Sequence, residues 1–347
     1  MEGSPTQNGF RMPAEWEAHE AVWLSWPKPD GISFPDRYEM VPPVLGKMIA
    51  ALHGSETVRI NVRNVAEESE VRRRLAGVPQ EHLEFFHIPT NEPWCRDHGP
   101  IFLTRQTPAP RRAIIDWGYN AWGGKYPPYD LDDNVPTRIA EQLKLPLFKN
   151  PMILEGGSIE VNGEGLLLTT ESCLLNPNRN PHLNRDQIEA VLRDYLGVTE
   201  IHWLGDGIEG DDTDGHIDDI TRLVAPRRVL TVVEQDRADP NYQPLQDNLE
   251  RLRSLRCADG GALEVIELPM PRRVEIDGQR LPASYANFYI GNRVVLLPVF
   301  EDPADAEAIG ILADCFPDRN IVPIDCRELV WGLGAFHCLT QQEPAVE

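Results

Sequence analysis

The chain has 347 residues, of which 41% are hydrophobic, so it can bury a substantial core and lacks the composition of a disordered protein. Its formal net charge of -22 argues against nucleic acid or an anionic membrane as a partner, because both attract basic surfaces. The acidity is compatible with a cationic small molecule, although charge alone favours a merely solubilising surface.

The cysteines and the start of the chain bear on the compartment. Six cysteines are scattered along the sequence and none forms a CxxC pair, which argues against a zinc or redox motif and favours reduced thiols. The first residues are polar and lack the apolar core of a secretory signal. No stretch reaches the ~20 apolar residues of a spanning helix. We therefore expect a cytoplasmic protein that does not enter a membrane.

The first half of the chain predicts strands and helices in alternation. A buried strand stopped by Pro27 comes first. Aromatic and glycine-rich residues from Trp117 to Tyr129 predict a long ordered loop of a kind that often walls a binding site. The other predictions are strands at 21–27, 58–62, 83–88, 101–104 and 112–116, and helices at 41–53, 65–75 and 133–143.

The second half continues with hairpins, helices and strands. Asn162-Gly163, Pro226-Arg227 and Gly291-Asn292 predict tight turns between paired strands. The predicted strands are 166–170, 201–204, the hairpin 223–233, 263–268, 283–290, 294–298 and 321–324, and the predicted helices are 185–196, 244–255 and 302–315.

Conspicuous polar residues recur near the predicted strand starts. Asp97, Glu155, His216, Asn287 and Cys338 are spaced roughly fifty to seventy residues apart, as a radial repeat would give. No Pro/Gly/Ser-rich linker or long charge run separates these units. The sequence therefore predicts a single domain, 1–347, with internal pseudo-symmetry and with the marked residues converging on a central axis.

Residues 210–219 carry five carboxylates around His216. Such a density of negative charge is unfavourable unless a metal, a basic side chain or a cationic substrate lies nearby. A calcium loop with Gly215 at its centre would begin at Gly210 and end at Thr221, and neither is a suitable ligand. HExxH and phosphate-loop motifs are absent. We favour a cationic substrate.

Cys338 and His216 are the candidates for covalent chemistry. Each alone is more often a structural residue, whereas a cysteine and a histidine joined in space make a nucleophile and an acid/base. Acceptor-rich surroundings suit a planar cation, and the fixed donor fork of a guanidinium matches carboxylates. This pattern favours chemistry on a guanidine.

Several separate motifs resemble the agmatine deiminase and bacterial peptidyl-arginine deiminase family of guanidino-group modifying enzymes. The resemblance extends over almost the whole chain, from Met12 to Pro344. The motifs are Trp94-x-Arg96-Asp97-x-Gly99-Pro100, Asn120-Ala121-Trp122-Gly123-Gly124-Lys125, Leu154-Glu155-Gly156-Gly157, Asp212-Thr213-Asp214-Gly215-His216-Ile217-Asp218 and His337-Cys338-Leu339-Thr340-Gln341-Gln342.

The resemblance implies a fold and a mechanism. The fold is a five-bladed α/β propeller of ββαβ-type units around a central site. Cys338 would attack the guanidinium carbon, His216 would serve as general acid/base, and Asp97 and Asp218 would hold the guanidinium nitrogens. Hydrolysis of agmatine to N-carbamoylputrescine and ammonia, a step toward putrescine, would then pass through an amidino (thiouronium) group on Cys338 and need no metal or organic cofactor.

The resemblance also implies substrate-binding roles for Trp94 and Glu155, and the position of Asp212 suggests contact with a distal ammonium. Three functions besides agmatine hydrolysis stay open: deimination of peptidyl or free arginine, for which Arg11, Lys125 or Arg179 could bind a carboxylate; a non-catalytic guanidine- or polyamine-binding module; and amidino transfer to an amine. A homodimer is the candidate assembly.

Family positions beside the site are occupied differently here. Glu92-Pro93 precedes Trp94, Cys95 and His98 flank Arg96-Asp97, and Leu333 and Ala335 stand in place of the family's glycine and asparagine before the nucleophile. These departures concern the choice of guanidine substrate more than the chemistry.

Overall fold

The computed structural model describes residues 2–346 of the chain, and short strands and helices alternate throughout that part. The predicted mixed α/β class is confirmed. The strands are β1 (His19–Ser25), β2 (Thr57–Val62), β3 (Leu83–His87), β4 (Ile101–Thr104), β5 (Arg112–Gly118), β6 (Leu147–Ile153), β7 (Ile159–Val161), β8 (Leu166–Thr170), β9 (Glu200–Leu204), β10 (Thr221–Ala225), β11 (Arg228–Val233), β12 (Glu264–Pro269), β13 (Glu275–Ile276), β14 (Gln279–Arg280), β15 (Tyr289–Ile290), β16 (Val294–Val299), β17 (Asn320–Asp325) and β18 (Thr340–Pro344).

The helices differ greatly in length. They are α1 (Val41–Leu52), α2 (Val65–Arg74), α3 (Cys95–His98), α4 (Ala121–Gly124), α5 (Asp130–Asp133), α6 (Val135–Leu143), α7 (Glu171–Leu174), α8 (Arg185–Leu196), α9 (Tyr242–Ser254), α10 (Asp305–Cys315) and α11 (Phe336–Leu339), with 3-10 turns at Thr6–Asn8, Tyr38–Met40, Gly156–Ser158, Ile217–Asp219 and Val330–Gly332. No helix within residues 2–346 is long and apolar enough to cross a membrane.

One structural unit recurs in four of the sheets. A short antiparallel hairpin is followed by a helix, and the next strand then pairs parallel to the second strand of the hairpin. A parallel pair needs such a crossover because its strands cannot be joined by a tight turn. These sheets have the orders β4-β5-β6, β7-β8-β9, β10-β11-β12 and β15-β16-β17.

The remaining large sheet joins the two ends of the chain. Its order is β18-β1-β2-β3, with β18 antiparallel to β1 and the other neighbours parallel. The last strand of the sequence thus supplies the hairpin partner of the first. The ββαβ pattern of the other sheets is completed here by both termini.

The helices cover the sheets through regularly spaced apolar residues. In α8, Ile188, Leu192 and Leu196 recur every four residues and are completely buried. They belong to the same apolar cluster as Leu167 in β8. Four-residue spacing places such side chains on one face of a helix, and that face packs on the sheet.

The structure refines several predicted elements. All three predicted turns join antiparallel strands: β7 to β8, β10 to β11 and β15 to β16. The predicted strand 283–290 is confined to Tyr289–Ile290, because Ser284 and Asn287 instead bond to Asp219 at 2.7 and 2.9 Å. The predicted loop from Trp117 to Tyr129 contains α4, in which Trp122 and Gly123 have left-handed backbone angles.

Candidate active site

Cys338 lies in the short helix α11 and is held by one asparagine. The Asn287 side-chain oxygen accepts the backbone N–H groups of His337 (3.1 Å) and Cys338 (3.3 Å). Its Nδ2 lies 3.0 Å from Sγ of Cys338 and donates to it. The buried side-chain amide of Asn287 therefore fixes both the start of α11 and the sulfur of Cys338.

The acidic stretch around His216 uses its carboxylates for different purposes. Asp211 organises the turn by accepting the backbone N–H groups of Gly215 (3.0 Å) and His216 (3.2 Å). Asp214 pairs with Lys125 at 2.8 Å and with Arg179 at 2.6 Å. The charge density that the sequence displays is thus partly neutralised by basic side chains and backbone amides.

The predicted catalytic groups converge beside Gly157. A Cβ atom added to this glycine would lie 2.6 Å from Nδ1 of His216, 2.8 Å from Oδ1 of Asp97 and 3.1 Å from Oδ2 of Asp218. The sulfur of Cys338 is 3.8 Å from the same Asp218 oxygen. Residues from four distant motifs therefore meet at one point, which glycine leaves open.

Asp97 is positioned by two donors. Its Oδ2 accepts the indole N–H of Trp122 at 2.9 Å, and its Oδ1 accepts the backbone N–H of Gly157 at 3.0 Å. Burial raises the pKa of Asp97 to about 6, and the carboxylates of Asp218 and Glu155 add to this, while His216 opposes it. The carboxyl loses its proton near neutral pH, and a neighbouring cation stabilises its ionised form.

His216 is completely buried between two carboxylates. Its Nδ1 lies 3.7 Å from Asp97 and its Nε2 lies 4.0 Å from Glu155. Burial lowers the pKa of the imidazole, but Asp97, Cys173 and Glu155 outweigh that effect and raise it well above its ordinary value. The resting imidazole is therefore protonated and can donate a proton.

Asp218 is anchored by a buried chain of charged groups. His337 lies between Asp218 (2.6 Å) and Glu15 (2.7 Å), and Glu15 in turn binds Arg96 (3.2 Å) and Arg222 (2.9 Å). Burial raises the pKa of Asp218, but His337 outweighs this and keeps it below its ordinary value. Oδ1 of Asp218 has no hydrogen-bond partner within residues 2–346. A fixed anionic oxygen is thus available to a ligand.

The sequence did not assign roles to Glu15, Asn287 or His337. Their signal was present, because Glu15 lies at the start of the segment that resembles the family, His337 begins the last family motif and Asn287 marks one of the recurring positions. What they do depends on contacts across the chain, such as the Glu15–His337 pair. No local pattern encodes such contacts.

Cys338 has a suppressed acidity. Burial raises the pKa of the thiol well above its ordinary value, and the carboxylates of Asp218, Asp219 and Asp97 raise it further. The thiol is therefore neutral at rest. A cation entering beside these carboxylates would stabilise the thiolate.

A cavity of about 180 Å³ leads to this point. Four predicted site residues line it: Trp94, Asp97, Asp212 and Cys338. Aromatic and apolar walls complete it, including Ile32, Trp122, Tyr126, Trp331 and Leu333. A narrow pocket with acidic groups and aromatic walls suits a slender organic cation.

Trp94 forms part of the cavity wall and is held in place by neighbours on both sides. Its indole N–H donates to Ser33 at 2.9 Å, and Ser33 is held by Glu92 through its backbone N–H at 3.0 Å. A Cβ atom on Gly334 would meet the Trp94 ring at 2.6 Å. Glu92, which departs from the family pattern, thus supports the pocket wall.

The other departures have distinct surroundings. Cys95 and His98 are buried, and Nε2 of His98 lies 3.2 Å from the carbonyl oxygen of Glu92. Leu333 adopts a left-handed conformation, with φ of 70°, and reaches the cavity. Leu333 replaces a glycine of the family pattern in a conformation that glycine adopts more readily, so the backbone turn is kept and an apolar side chain is added.

Asp212 and Glu155, both predicted to bind substrate, differ in their exposure to the cavity. Asp212 lines it and accepts a hydrogen bond from the hydroxyl of Tyr126. Glu155 is completely buried and pairs with Arg179 at 2.7 Å. Its contact with a substrate stays a prediction.

The three cations considered for a substrate carboxylate are otherwise engaged. Lys125 pairs with Asp214, Arg179 pairs with Glu155 and Asp214, and Arg11 pairs with Glu17 at 2.7 Å. Within the described part of the chain, neither lysine nor arginine lines the cavity.

Comparison with known proteins places this arrangement among deiminases. A family model described as Porphyromonas-type peptidyl-arginine deiminase matches residues 11–344. The agmatine deiminase of Pseudomonas putida is 39% identical, with 99% of this chain and 98% of the relative aligned. The agmatine deiminase of Medicago truncatula is 38% identical, with 100% and 99% aligned.

A solved structure gives the same result in three dimensions. The agmatine deiminase of Enterococcus faecalis superimposes with a TM-score of 0.89 at 34% identity, covering 99% of this chain and 98% of that one. The similarity therefore extends over the complete fold and is not limited to the motifs.

Proposed function

Because this chain belongs to the Porphyromonas-type peptidyl-arginine deiminase family, we propose that it hydrolyses agmatine to N-carbamoylputrescine and ammonia. The observation that carries the proposal is the convergence of Cys338, His216, Asp97 and Asp218, of which Cys338 and Asp97 line one acidic cavity. The same reaction would place the enzyme on a route toward putrescine.

The first half-reaction begins with a guanidinium held by Asp97 and Asp218. Binding of the cation lets the Cys338 thiol release its proton to solvent, and the resulting thiolate attacks the guanidinium carbon, which the two carboxylates orient. The resulting tetrahedral adduct expels one nitrogen as ammonia after His216 has donated a proton to it. An S-alkyl thiouronium group is left on Cys338.

The second half-reaction regenerates the thiol. His216, now neutral, removes a proton from water, and the water oxygen attacks the thiouronium carbon. Breakage of the carbon–sulfur bond releases the ureido product, while the hydroxyl proton of the adduct passes to the sulfur and restores the thiol. Because its pKa is raised, His216 holds the proton that the first step needs. The positive charge of the substrate stabilises the Cys338 thiolate, which burial and the neighbouring carboxylates otherwise disfavour.

The charge of the cavity favours agmatine over arginine. Agmatine carries an ammonium at the end opposite its guanidinium, and Asp212 offers a carboxylate within the same cavity. Free arginine adds a carboxylate beside its ammonium, and arginine within a peptide has amides in their place, whereas the cavity wall supplies no basic side chain among the described residues. Burial of an unpaired carboxylate beside Asp212 is costly.

The proposal includes the larger organisation of the protein. We infer that the five large sheets are the blades of an α/β propeller, since β18 pairs with β1 and brings the two ends of the chain together. Residues 1–347 then form one domain. A homodimer in the cytoplasm is the proposed assembly and compartment.

Ammonia release from agmatine, free arginine, a peptide with C-terminal arginine and other guanidines tests the activity. We expect turnover of agmatine with the highest kcat/KM, and formation of N-carbamoylputrescine by mass spectrometry.

Cys338→Ser should abolish turnover while the circular dichroism spectrum stays unchanged. Retained activity in Cys338→Ser would contradict the mechanism, and binding without turnover of any guanidine would favour the non-catalytic module. Transfer of the amidino group to an added amine would identify the transferase alternative.

A further inference from the structure

A second group of potential ligands lies behind the imidazole of His216. The sulfur of Cys173, a ring nitrogen of His216 and a carboxylate oxygen of Glu155 all lie within 4.8 Å of one another. All three side chains are completely buried. The deiminase mechanism proposed above uses His216 but has no need of Cys173.

Several polar atoms in this group have no hydrogen-bond partner. Neither ring nitrogen of His216 has a hydrogen-bond partner within residues 2–346, and neither has Oε2 of Glu155. The other Glu155 oxygen is held by Nε of Arg179 at 2.7 Å, which fixes the carboxylate and leaves Oε2 unengaged. Buried polar atoms without partners are unfavourable, so a ligand that satisfies them is stabilised.

The chemistry of the three atoms selects a metal. Thiolate sulfur, imidazole nitrogen and carboxylate oxygen are the preferred ligands of Zn²⁺, whereas Ca²⁺ and Mg²⁺ prefer oxygen alone. Zinc–ligand bonds of about 2.0–2.3 Å would draw the three atoms modestly closer and leave a fourth position for water. We propose that Cys173, His216 and Glu155 form an inhibitory binding site for Zn²⁺.

Inhibition follows from the position of the metal. A Zn²⁺ ion displaces a proton from the imidazole and takes its place on the ring nitrogen, so His216 has no proton to give to the leaving ammonia. This consequence rests on the proposed function, because it assumes that His216 is the general acid/base. Binding of the metal itself depends only on the three side chains.

A neighbouring group is a less suitable site. Asp218, Asp219 and Cys338 also bring ligand atoms within 4.8 Å. However, Oδ2 of Asp218 already contacts His337 at 2.6 Å, and Asn287 donates both to Asp219 at 2.9 Å and to the sulfur of Cys338 at 3.0 Å. Its acceptors are therefore largely engaged by protein donors.

Zinc inhibition of purified variants tests the site. In Cys173→Ser and Cys173→Ala, the Zn²⁺ concentration for half-inhibition should rise at least tenfold relative to the unsubstituted enzyme. Each rate is compared with that of the same variant in the presence of a chelator, so a change in basal activity does not obscure the result. Cys257→Ala, which removes a thiol with no place in the site, should keep the original zinc sensitivity. Unchanged sensitivity in both Cys173 variants would overturn the proposal.

Cobalt absorption tests the metal site without reference to activity. Co²⁺ bound to a thiolate gives a charge-transfer band in the near ultraviolet. The band should appear in a Cys257→Ala/Cys338→Ala protein and disappear when Cys173→Ala is added. Absence of the band while Cys173 is present would refute the site, and its dependence on Cys338 would assign the metal to the neighbouring group. An enzyme that binds Co²⁺ through Cys173 but hydrolyses no guanidine would contradict only the proposed function.

Discussion

Three aspartates around the nucleophile differ in protonation because their partners differ. Burial raises the pKa of Asp97 to about 6, whereas that of Asp218 is kept low, because His337 outweighs burial. The pKa of Asp219 lies well above its ordinary value, through burial and the charge of Asp218. At neutral pH the carboxylate of Asp218 is therefore ionised beside Cys338, and a bound cation favours the ionised form of Asp97 as well.

Asp212→Asn tests whether the distal end of the cavity recognises an ammonium. The substitution removes the charge while an amide oxygen remains to accept the Tyr126 hydroxyl. We expect the KM for agmatine to rise about tenfold, which corresponds to about 1.4 kcal/mol, with kcat changed less than twofold. Steady-state kinetics measure both constants.

Butylguanidine, which lacks the terminal ammonium, is the matched control for this variant. Its kcat/KM should be the same with Asp212→Asn as with the original residue. An equal loss on butylguanidine and agmatine would mean that Asp212 supports the shape of the cavity and does not bind the ammonium.

At the scale of single residues, most of the candidate site could be predicted from the sequence. Cys338, His216, Asp97 and Asp218 were predicted from motif content and resemblance, and the structure brings them together. The groups that hold them were not predicted. Asn287 acts through a 3.0 Å contact with a sulfur 51 positions away, and no local spacing specifies that contact.

Among the secondary-structure elements, β18 has the least predictable burial. Its first four residues, Thr340–Glu343, are polar, yet all five residues of the strand are buried because they pair with β1. The predicted hairpins at Asn162-Gly163 and Gly291-Asn292 are specified by their turn residues. The pairing of β18 depends instead on a partner more than three hundred positions away, which strand periodicity does not reveal.

Glu343→Gln tests the contribution of the charged groups that anchor β18. Glu343 is completely buried, pairs with Arg112 at 2.5 Å and with Arg59, and accepts the indole N–H of Trp23 at 2.8 Å. The amide leaves two largely buried arginines without their common anion. We expect the free energy of unfolding to fall by about 2 kcal/mol, as measured by urea denaturation.

Glu84→Gln provides the matched control, because Glu84 pairs with the same Arg59 but its side chain is 50% exposed. An exposed ion pair contributes little, so the change should stay within about 0.5 kcal/mol. Equal losses in the two variants would show that burial of Glu343 adds nothing to the pair.

For the molecule as a whole, the recurrence of polar residues corresponded to a structural unit. Asp97, Glu155, His216, Asn287 and Cys338 each lie shortly before a hairpin or strand of a different sheet. The sequences of the units are dissimilar, so the repeat could be predicted only from the spacing of these five polar residues. The order of the strands in each sheet and the pairing of β18 with β1 could be determined only from the three-dimensional structure.

The net charge of -22 and the buried carboxyls together predict how the stability of the molecule depends on pH. Burial raises the pKa of Asp132 from 3.8 to about 8. Between these values the folded state holds a proton that the unfolded state has lost, so the free energy of unfolding falls as pH rises. Self-repulsion of the acidic surface acts in the same direction.

Asp132→Asn separates the buried group from the surface charge. An amide oxygen can still accept the backbone N–H of Asn91, which now lies 2.6 Å from Oδ1, without the cost of a buried anion. The variant should match the original protein near pH 4 and exceed its free energy of unfolding by about 5 kcal/mol at pH 8.5, because a pKa raised by about four units costs the original protein about 1.4 kcal/mol per unit over that range. Asp314→Asn removes the same charge from an exposed position, and its effect should stay small at both pH values. Parallel stability curves for Asp132→Asn and the unsubstituted protein would mean that Asp132 does not titrate in this window, and the fall in stability would then be due to the other carboxyls.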